Sequence, residues 1–280
     1  LFPYTTLFRS HGGQLDFCDH DTAWLVDFRY ARARTHFDLH GSVWAEPDAA
    51  DLARQMRAVF EATPEASAGR VHAARERIRH NFTWAHTARR IRQAIEDARQ
   101  QTPAAASPRI GWVSTYNSAC GIAEYSRYLL QHWPAGVVPA DIRIYANIDA
   151  MAQARDPENL RRVWATKLRD TSLDRLQDAL IEDAIEVLII QFNFGFFELH
   201  TLAGMIERLH ARGVRIAITL HSTTDVKHDN ALRSLRDIAP ALALCERLYV
   251  HGFDDLNRLK DFGLSAQATR LPHGVHAGTA

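Results

Sequence analysis

From Ile110 onward, short apolar runs alternate with helical patterns, and this alternation constrains the fold more than any other feature. The runs are continuous rather than alternately polar, as expected for strands buried on both faces of a parallel sheet. Strands are predicted at 110–114, 142–146, 187–192, 214–220, 248–251 and 268–271. Helices are predicted at 122–132, 173–183, 199–212, 231–244 and 254–262. The repetition predicts an α/β fold with a Rossmann-like, doubly wound parallel sheet.

The preceding segment has a loop-rich start followed by helical periodicity. Asp48 is a predicted N-cap for an amphipathic helix that presents Met56 on its apolar face. Two further helices are predicted at 64–80 and 83–99, before a short stretch rich in Pro, Ala and Ser. The predicted organisation is a mostly helical segment at 11–100, a linker at 101–109 and the sheet domain at 110–280.

The first ten residues, LFPYTTLFRS, show no clear helical or strand period. They also match the in-frame translation of a widely used short-read sequencing adapter. We therefore expect residues 1–10 to be an adapter artefact and exclude them from reasoning about the fold. On this hypothesis the natural reading frame is truncated, and the natural protein extends beyond both ends.

Composition excludes several classes of function. Lys plus Arg and Asp plus Glu number 33 each, so no net charge favours binding to nucleic acid. The longest apolar run is too short to span a bilayer, and the sequence predicts no secretory signal. Cys18, Cys120 and Cys245 are scattered, which suits a reducing cytoplasm and argues against a disulfide framework or a thiolate metal site. His221, Asp225 and His228 have only loosely metal-like spacing, so no metal site is predicted.

Polar and glycine residues follow the predicted strands, at the edge where ligands bind in open α/β sheets. Gly121 opens the first helix of the sheet domain, and a helix N-terminus presents free N–H groups to anions. The other candidate side chains at this edge are Asn117, Cys120, Gln191, Asn193, His221 and His273 with Gly274. Each also has a structural interpretation, since strand-terminal histidines and glycines commonly serve turns. Their recurrence at successive strand ends favours a polar small ligand.

Four of these segments together resemble a known family. The sequence GWVSTYNSACGIAEYS at 111–126, QFNFGFF at 191–197, TLHST at 219–223 and LPHGV at 271–275 are similar, in the same order, to the N-terminal domain of family 4-type glycosyltransferases of the GT-B fold. Residues 11–100 resemble the C-terminal donor domain of such an enzyme. The resemblance implies a fragment of a tandem enzyme, in which the tail of one module precedes the first half of the next.

The resemblance implies transfer of a hexose from a nucleotide sugar, UDP- or GDP-linked, to a glycan or lipid-linked acceptor. Anomeric configuration would be retained, with neither a metal nor a cofactor. It places His221 near the transferring sugar as the catalytic candidate and Asn117, Gln191 and Asn193 at the acceptor or cleft. The donor-side candidates are Gly12, Gly13, Asp16, Cys120, Gly121, His273 and Gly274. Asp16 stands where the family's GGxxE pattern has Glu, which shortens its reach by one methylene.

The setting implied by the resemblance is cell-surface polysaccharide assembly in the cytoplasm, with peripheral association at the inner face of the membrane left open. The 280 residues alone are predicted to be inactive, because neither module is complete.

The alternative to a glycosyltransferase is a non-catalytic, Rossmann-like binding or scaffolding domain. A dinucleotide oxidoreductase is disfavoured because the first turn lacks GxGxxG and Asn147 stands where a ribose-binding carboxylate is expected. Asp149 lies nearby and keeps that alternative open.

Overall fold

The computed structural model describes residues 7–33, 42–83, 92, 108–133, 141–166, 170–228 and 231–271. The chain divides into two compact units, with unit 1 at Leu1–Ala105 and unit 2 at Ala106–Ala280. None of the helices in the described ranges has both the length and the apolar character needed to cross a membrane. The predicted helix at 83–99 and the linker at 101–109 lie almost entirely outside the described residues.

Unit 1 combines short strands with two helices. Its described elements are β1 (Leu7–Arg9), a 3-10 turn (Gly13–Asp16), β2 (Trp24–Val26), β3 (Phe28–Arg32), β4 (Val43–Pro47), α1 (Ala49–Glu61) and α2 (Pro64–Asn81). Strand β1 pairs in parallel with β2, although the sequence showed no strand period there. The predicted N-cap is confirmed, since the Asp48 side chain accepts a hydrogen bond from the N–H of Asp51 at 2.8 Å.

Unit 2 contains a seven-stranded parallel sheet flanked by helices, in the order β13-β12-β9-β8-β5-β6-β7. The strands are β5 (Arg109–Val113), β6 (Asp141–Asn147), β7 (Leu160–Trp164), β8 (Val187–Phe192), β9 (Arg215–Leu220), β12 (Arg247–Val250) and β13 (Ala268–Arg270). The helices are α3 (Gly121–Gln131), α4 (Asp174–Glu182), α5 (Leu199–Ala211), α6 (Ala239–Leu242) and α7 (Phe253–Asp261). The chain starts in the interior of the sheet and extends it in both directions, which confirms the predicted α/β, Rossmann-like architecture.

Two elements of unit 2 differ from the sequence prediction. Strand β7 was not predicted, because Arg161 and Arg162 interrupt its apolar pattern; charged residues are tolerated there because β7 lies at the edge of the sheet. The predicted helix at 231–244 is wrong over its first four residues. Ala231–Arg233 is instead strand β11, paired antiparallel with β10 (Val226–His228). Helical structure starts only after Ser234, which caps a 3-10 turn.

Helices α3 and α4 cover opposite faces of the sheet. A Cβ atom on Gly111 in β5 would lie 3.0 Å from Leu180 of α4, 3.1 Å from Ile185 and 3.2 Å from Leu188. Ser114, three residues later and therefore on the other face, shares a 2.7 Å hydrogen bond with Ser126 of α3. The close approach of α4 therefore depends on glycine at 111, while α3 packs over the opposite face.

A charged network ties α4 to β6 and β7. The Asp183 carboxylate, which is 9% exposed, accepts hydrogen bonds from the Arg143 and Arg161 guanidinium groups and from the buried Tyr145 hydroxyl. Burial by itself raises the pKa of the Asp183 carboxyl, but the hydrogen bonds from Tyr145 and Arg161 outweigh this effect and hold the pKa below its usual value.

We expect Gly111→Ala to lower the free energy of unfolding of unit 2 by about 1–3 kcal/mol, because the added methyl group overpacks the contact with α4. Urea denaturation followed by circular dichroism measures this change. The matched control is Gly204→Ala in α5, where the methyl group would meet only the end of the flexible Arg208 side chain. The control should be neutral or stabilising by about 0.5–1 kcal/mol. Equal loss of stability in both variants would contradict the packing argument.

We expect Asp183→Asn to lower the free energy of unfolding near neutral pH by about 1–3 kcal/mol, since charge-assisted hydrogen bonds are lost. The lowered folded-state pKa makes this contribution fully present above the unfolded aspartate pKa of about 3.9. It is lost as the pH falls through the folded-state pKa. The difference between the natural chain and the variant should therefore shrink on acidification. Asp178→Asn, at an exposed position of α4, is the control and should leave the pH profile of stability unchanged.

Candidate functional site

The strand order reverses its direction between β5 and β8, so a crevice is expected at the carboxyl ends of these two strands. From β5 the chain proceeds through β6 to β7 on one side, and from β8 through β9 on the other. Adjacent loops leave the sheet in opposite directions at such a switch point, so a ligand can enter between them. The segment 114–120 follows β5, while Asn193 follows β8 and His221 follows β9.

The N-terminus of α3 is one side of this crevice. Cys120 precedes the helix in an extended conformation and provides no side-chain cap, so the first helical N–H groups remain available to a ligand. A Cβ atom on Gly121 would meet no atom within 4 Å, which leaves the approach to these groups open. Thr115 donates a hydrogen bond to the Cys120 sulfur at 3.4 Å. Glu124 in the first turn pairs with Arg127 at 2.7 Å, which reduces its repulsion of an anion.

Gln191 and His221 lie together near the carboxyl ends of β8 and β9. The Gln191 Oε1 atom accepts a hydrogen bond from His221 Nε2 at 2.9 Å. Gln191 is completely buried, and its Nε2 amide group has no hydrogen-bond partner among the described residues. A buried amide donor without an acceptor is costly, by about 1–3 kcal/mol, and is rare in proteins. This position therefore requires an explanation beyond packing.

Tyr125 and His251 complete an aromatic cluster with His221. The ring centroids of Tyr125 and His221 are 4.9 Å apart, and those of His221 and His251 are 5.2 Å apart. His251 Nδ1 donates to the Leu271 carbonyl at 2.8 Å, which fixes this nitrogen as the protonated one. Burial raises the pKa of Tyr125, so its hydroxyl is neutral at physiological pH. Tyr125 was not identified from the sequence, because its helical position alone indicates ordinary packing.

The structure gives the two candidate asparagines local roles. The Asn117 side chain donates to the Ala154 carbonyl at 2.7 Å and to Asp156 at 2.8 Å, and it accepts from the Ala154 N–H at 3.1 Å. Asp156 in turn pairs with Arg162 at 2.7 Å, so this network holds the loop after β5 against the segment before β7. Asn193 accepts a hydrogen bond from the Gly195 N–H at 2.8 Å within its own turn.

Ser118 lies within the same loop. Its hydroxyl is buried, and the residue is 5% exposed. The hydroxyl oxygen has no hydrogen-bond partner in the part of the chain that the structure describes. The loop between β5 and α3 thus contributes a second buried polar group without a partner among the described residues, three residues before the helix starts.

The remaining candidate residues lie either in unit 1 or outside the described residues. Gly12, with a φ of +93°, precedes the 3-10 turn of unit 1 that contains Gly13 and Asp16, and the Asp16 side chain is exposed. His273 and Gly274 lie outside the described residues. Within the described ranges, no three His, Cys, Asp or Glu side chains converge as metal ligands would.

Comparison with known proteins does not identify a family. No family model and no curated protein matches the sequence. Among solved structures, the chain is similar to a fungal endo-β-N-acetylglucosaminidase of glycosyl hydrolase family 18, with 11% identity and a TM-score of 0.29. The match covers 58% of this chain and 65% of that chain, so it spans less than two thirds of the hydrolase. A likeness of this size carries no activity over to this protein.

These comparisons correct the function expected from the sequence. The glycosyltransferase prediction is wrong: the structural match is to a glycoside hydrolase, and the family and curated comparisons supply no transferase. The physical reason lies in the segments on which the resemblance depends. Polar and glycine residues gather at strand ends in any doubly wound sheet, because ligands of many kinds bind at that edge. Such segments indicate a ligand-binding edge without specifying the reaction.

Proposed function

We propose that unit 2 binds a small polar molecule that carries a phosphate group, in the crevice between β5 and β8. The phosphate lies at the N-terminus of α3, and the polar remainder contacts Gln191 and the aromatic cluster of Tyr125, His221 and His251. The proposal is one of binding and includes no chemical step.

The observation that supports this proposal most directly is the buried, unpartnered amide of Gln191. An N–H donor at this position is stabilised when a ligand oxygen accepts from it. The Ser118 hydroxyl, also unpartnered among the described residues, can make the same kind of contact. Ser118 lies three residues before the start of α3. Gln191 lies in β8, which pairs with β5, the strand that precedes α3 in the chain. Partial positive charge at the N-terminus of α3 favours an anion there.

A nucleotide sugar, the ligand implied by the sequence resemblance, belongs to this chemical class. The relation of unit 2 to the N-terminal half of a GT-B fold, and of residues 11–100 to the tail of such a fold, remains a prediction about architecture. Neither relation adds an activity to the proposed binding function.

Calorimetric titration of the 280-residue chain tests the proposal. The probes are inorganic phosphate, UDP, GDP and UDP-glucose, and we expect at least one phosphate-bearing probe to bind. We expect Gln191→Glu to weaken that binding at least about tenfold, because the added carboxylate repels phosphate while its oxygen can still accept from His221. Gln191→Leu should weaken binding as well while leaving the fold intact, since a buried, unpartnered amide is removed.

The matched control is Gln131→Glu at the other end of α3, about 15 Å from the helix start. Gln131 is exposed, so this variant should bind the probes as the natural chain does. Circular dichroism and melting temperature establish that each variant is folded. Binding of no probe by the natural chain, or equal affinity in the natural chain and Gln191→Glu, would refute the proposed site.

A further inference from the structure

Helix α1 of unit 1 is amphipathic, yet none of its residues is fully buried. One side is held by unit 1. The Gln55 amide donates to the Leu25 carbonyl at 2.9 Å, and Asp51 accepts from the Asp27 N–H at 2.8 Å. These contacts fix which side of the helix faces the unit.

The other side of α1 exposes two large apolar side chains. Met56 is 52% exposed and Phe60 is 90% exposed. Because they are four residues apart, they form one continuous apolar row on the helix surface. Isolated exposed apolar residues are common, but a row on an otherwise unburied helix is typical of a surface that packs against a partner.

A second row, made of Arg57 and Glu61, lies beside the first. Each of these residues follows a member of the apolar row, so each is displaced by about 100° in the same direction around the helix. Both are exposed, and neither forms an ion pair among the described residues. The surface thus carries an apolar row flanked by one positive and one negative charge.

We propose that this surface, defined by Met56, Arg57, Phe60 and Glu61, pairs with the same surface of a second copy of the chain. With the two α1 helices antiparallel about a two-fold axis near their midpoint, Met56 of each copy faces Phe60 of the other. The flanking rows then lie on the same side of the interface, and Arg57 of each copy faces Glu61 of the other. The charge pattern is therefore self-complementary, as an interface between identical subunits requires.

The expected dimer is weak. A buried Phe side chain removes about 150–250 Å² from water, so these two rows bury only several hundred Å² per copy. The total lies at the small end of specific interfaces, below about 1,200 Å². Contacts between Met sulfur and the Phe ring add to the apolar contribution. We expect a dissociation constant in the micromolar to millimolar range.

Sedimentation equilibrium of the full chain tests this proposal over a wide range of concentration. The average mass should rise from the monomer value of 31.7 kDa toward twice that value. Phe60→Gln should abolish the rise. Arg57→Glu and Glu61→Arg should each weaken association about tenfold or more, because two attractive pairs become repulsive.

The decisive measurement is an equimolar mixture of the Arg57→Glu and Glu61→Arg variants. In the mixed dimer both ion pairs are attractive again, so association should return toward that of the natural chain, and the double variant R57E/E61R should also associate. Arg75→Glu on α2, at an exposed position outside the proposed surface, is the control and should leave association unchanged. A natural chain that remains monomeric at every concentration would overturn the proposal. So would association that is equally strong in all variants, or a mixture that fails to regain it.

Discussion

The architecture of unit 2 depends on one constraint: seven parallel strands have their carboxyl ends at the same edge of the sheet. Because the chain starts in the interior of the sheet and extends it in both directions, the loops at β5 and β8 diverge there. The open N-terminus of α3, the Gln191 amide and the His221 ring are brought together by this arrangement. No local feature of the sequence would place them side by side, since Gln191 and His221 are 30 residues apart.

The polar groups of unit 2 fall into two physical classes. Asp183 is held by Arg143, Arg161 and Tyr145, and this network stabilises the contact of α4 with the sheet. Gln191 and Ser118 are also buried, yet each retains a polar atom without a partner among the described residues. Satisfied networks serve the fold, whereas buried polar groups without a partner are characteristic of ligand-binding sites, where local stability is lower. The proposed binding function is therefore based on Gln191 and Ser118 and not on the Asp183 network.

Unit 1 has a small hydrophobic core and exposes large apolar side chains. Six hydrophobic residues of unit 1 are buried among those described, and α1 contributes none of them: Cys18, Ala23, Leu25, Val26, Phe28 and Ala45. A small core leaves a larger fraction of apolar surface in contact with water. The exposed row of Met56 and Phe60 follows from this limit, and pairing between copies would remove it from water.

The sequence by itself determined the positions of six sheet strands to within about two residues, since continuous apolar runs are typical of strands covered on both faces. It also determined the Asp48 cap, which is a property of local chemistry, and it predicted a ligand-binding edge. Tertiary structure alone decided that 160–164 is an edge strand, that 231–233 is a strand rather than a helix, and that Tyr125 and His251 join His221. Periodicity reports how deeply a segment is buried but not which segments become neighbours. For the same reason, motifs at strand ends predicted a transferase chemistry wrongly, and the binding edge that they predict stays a prediction.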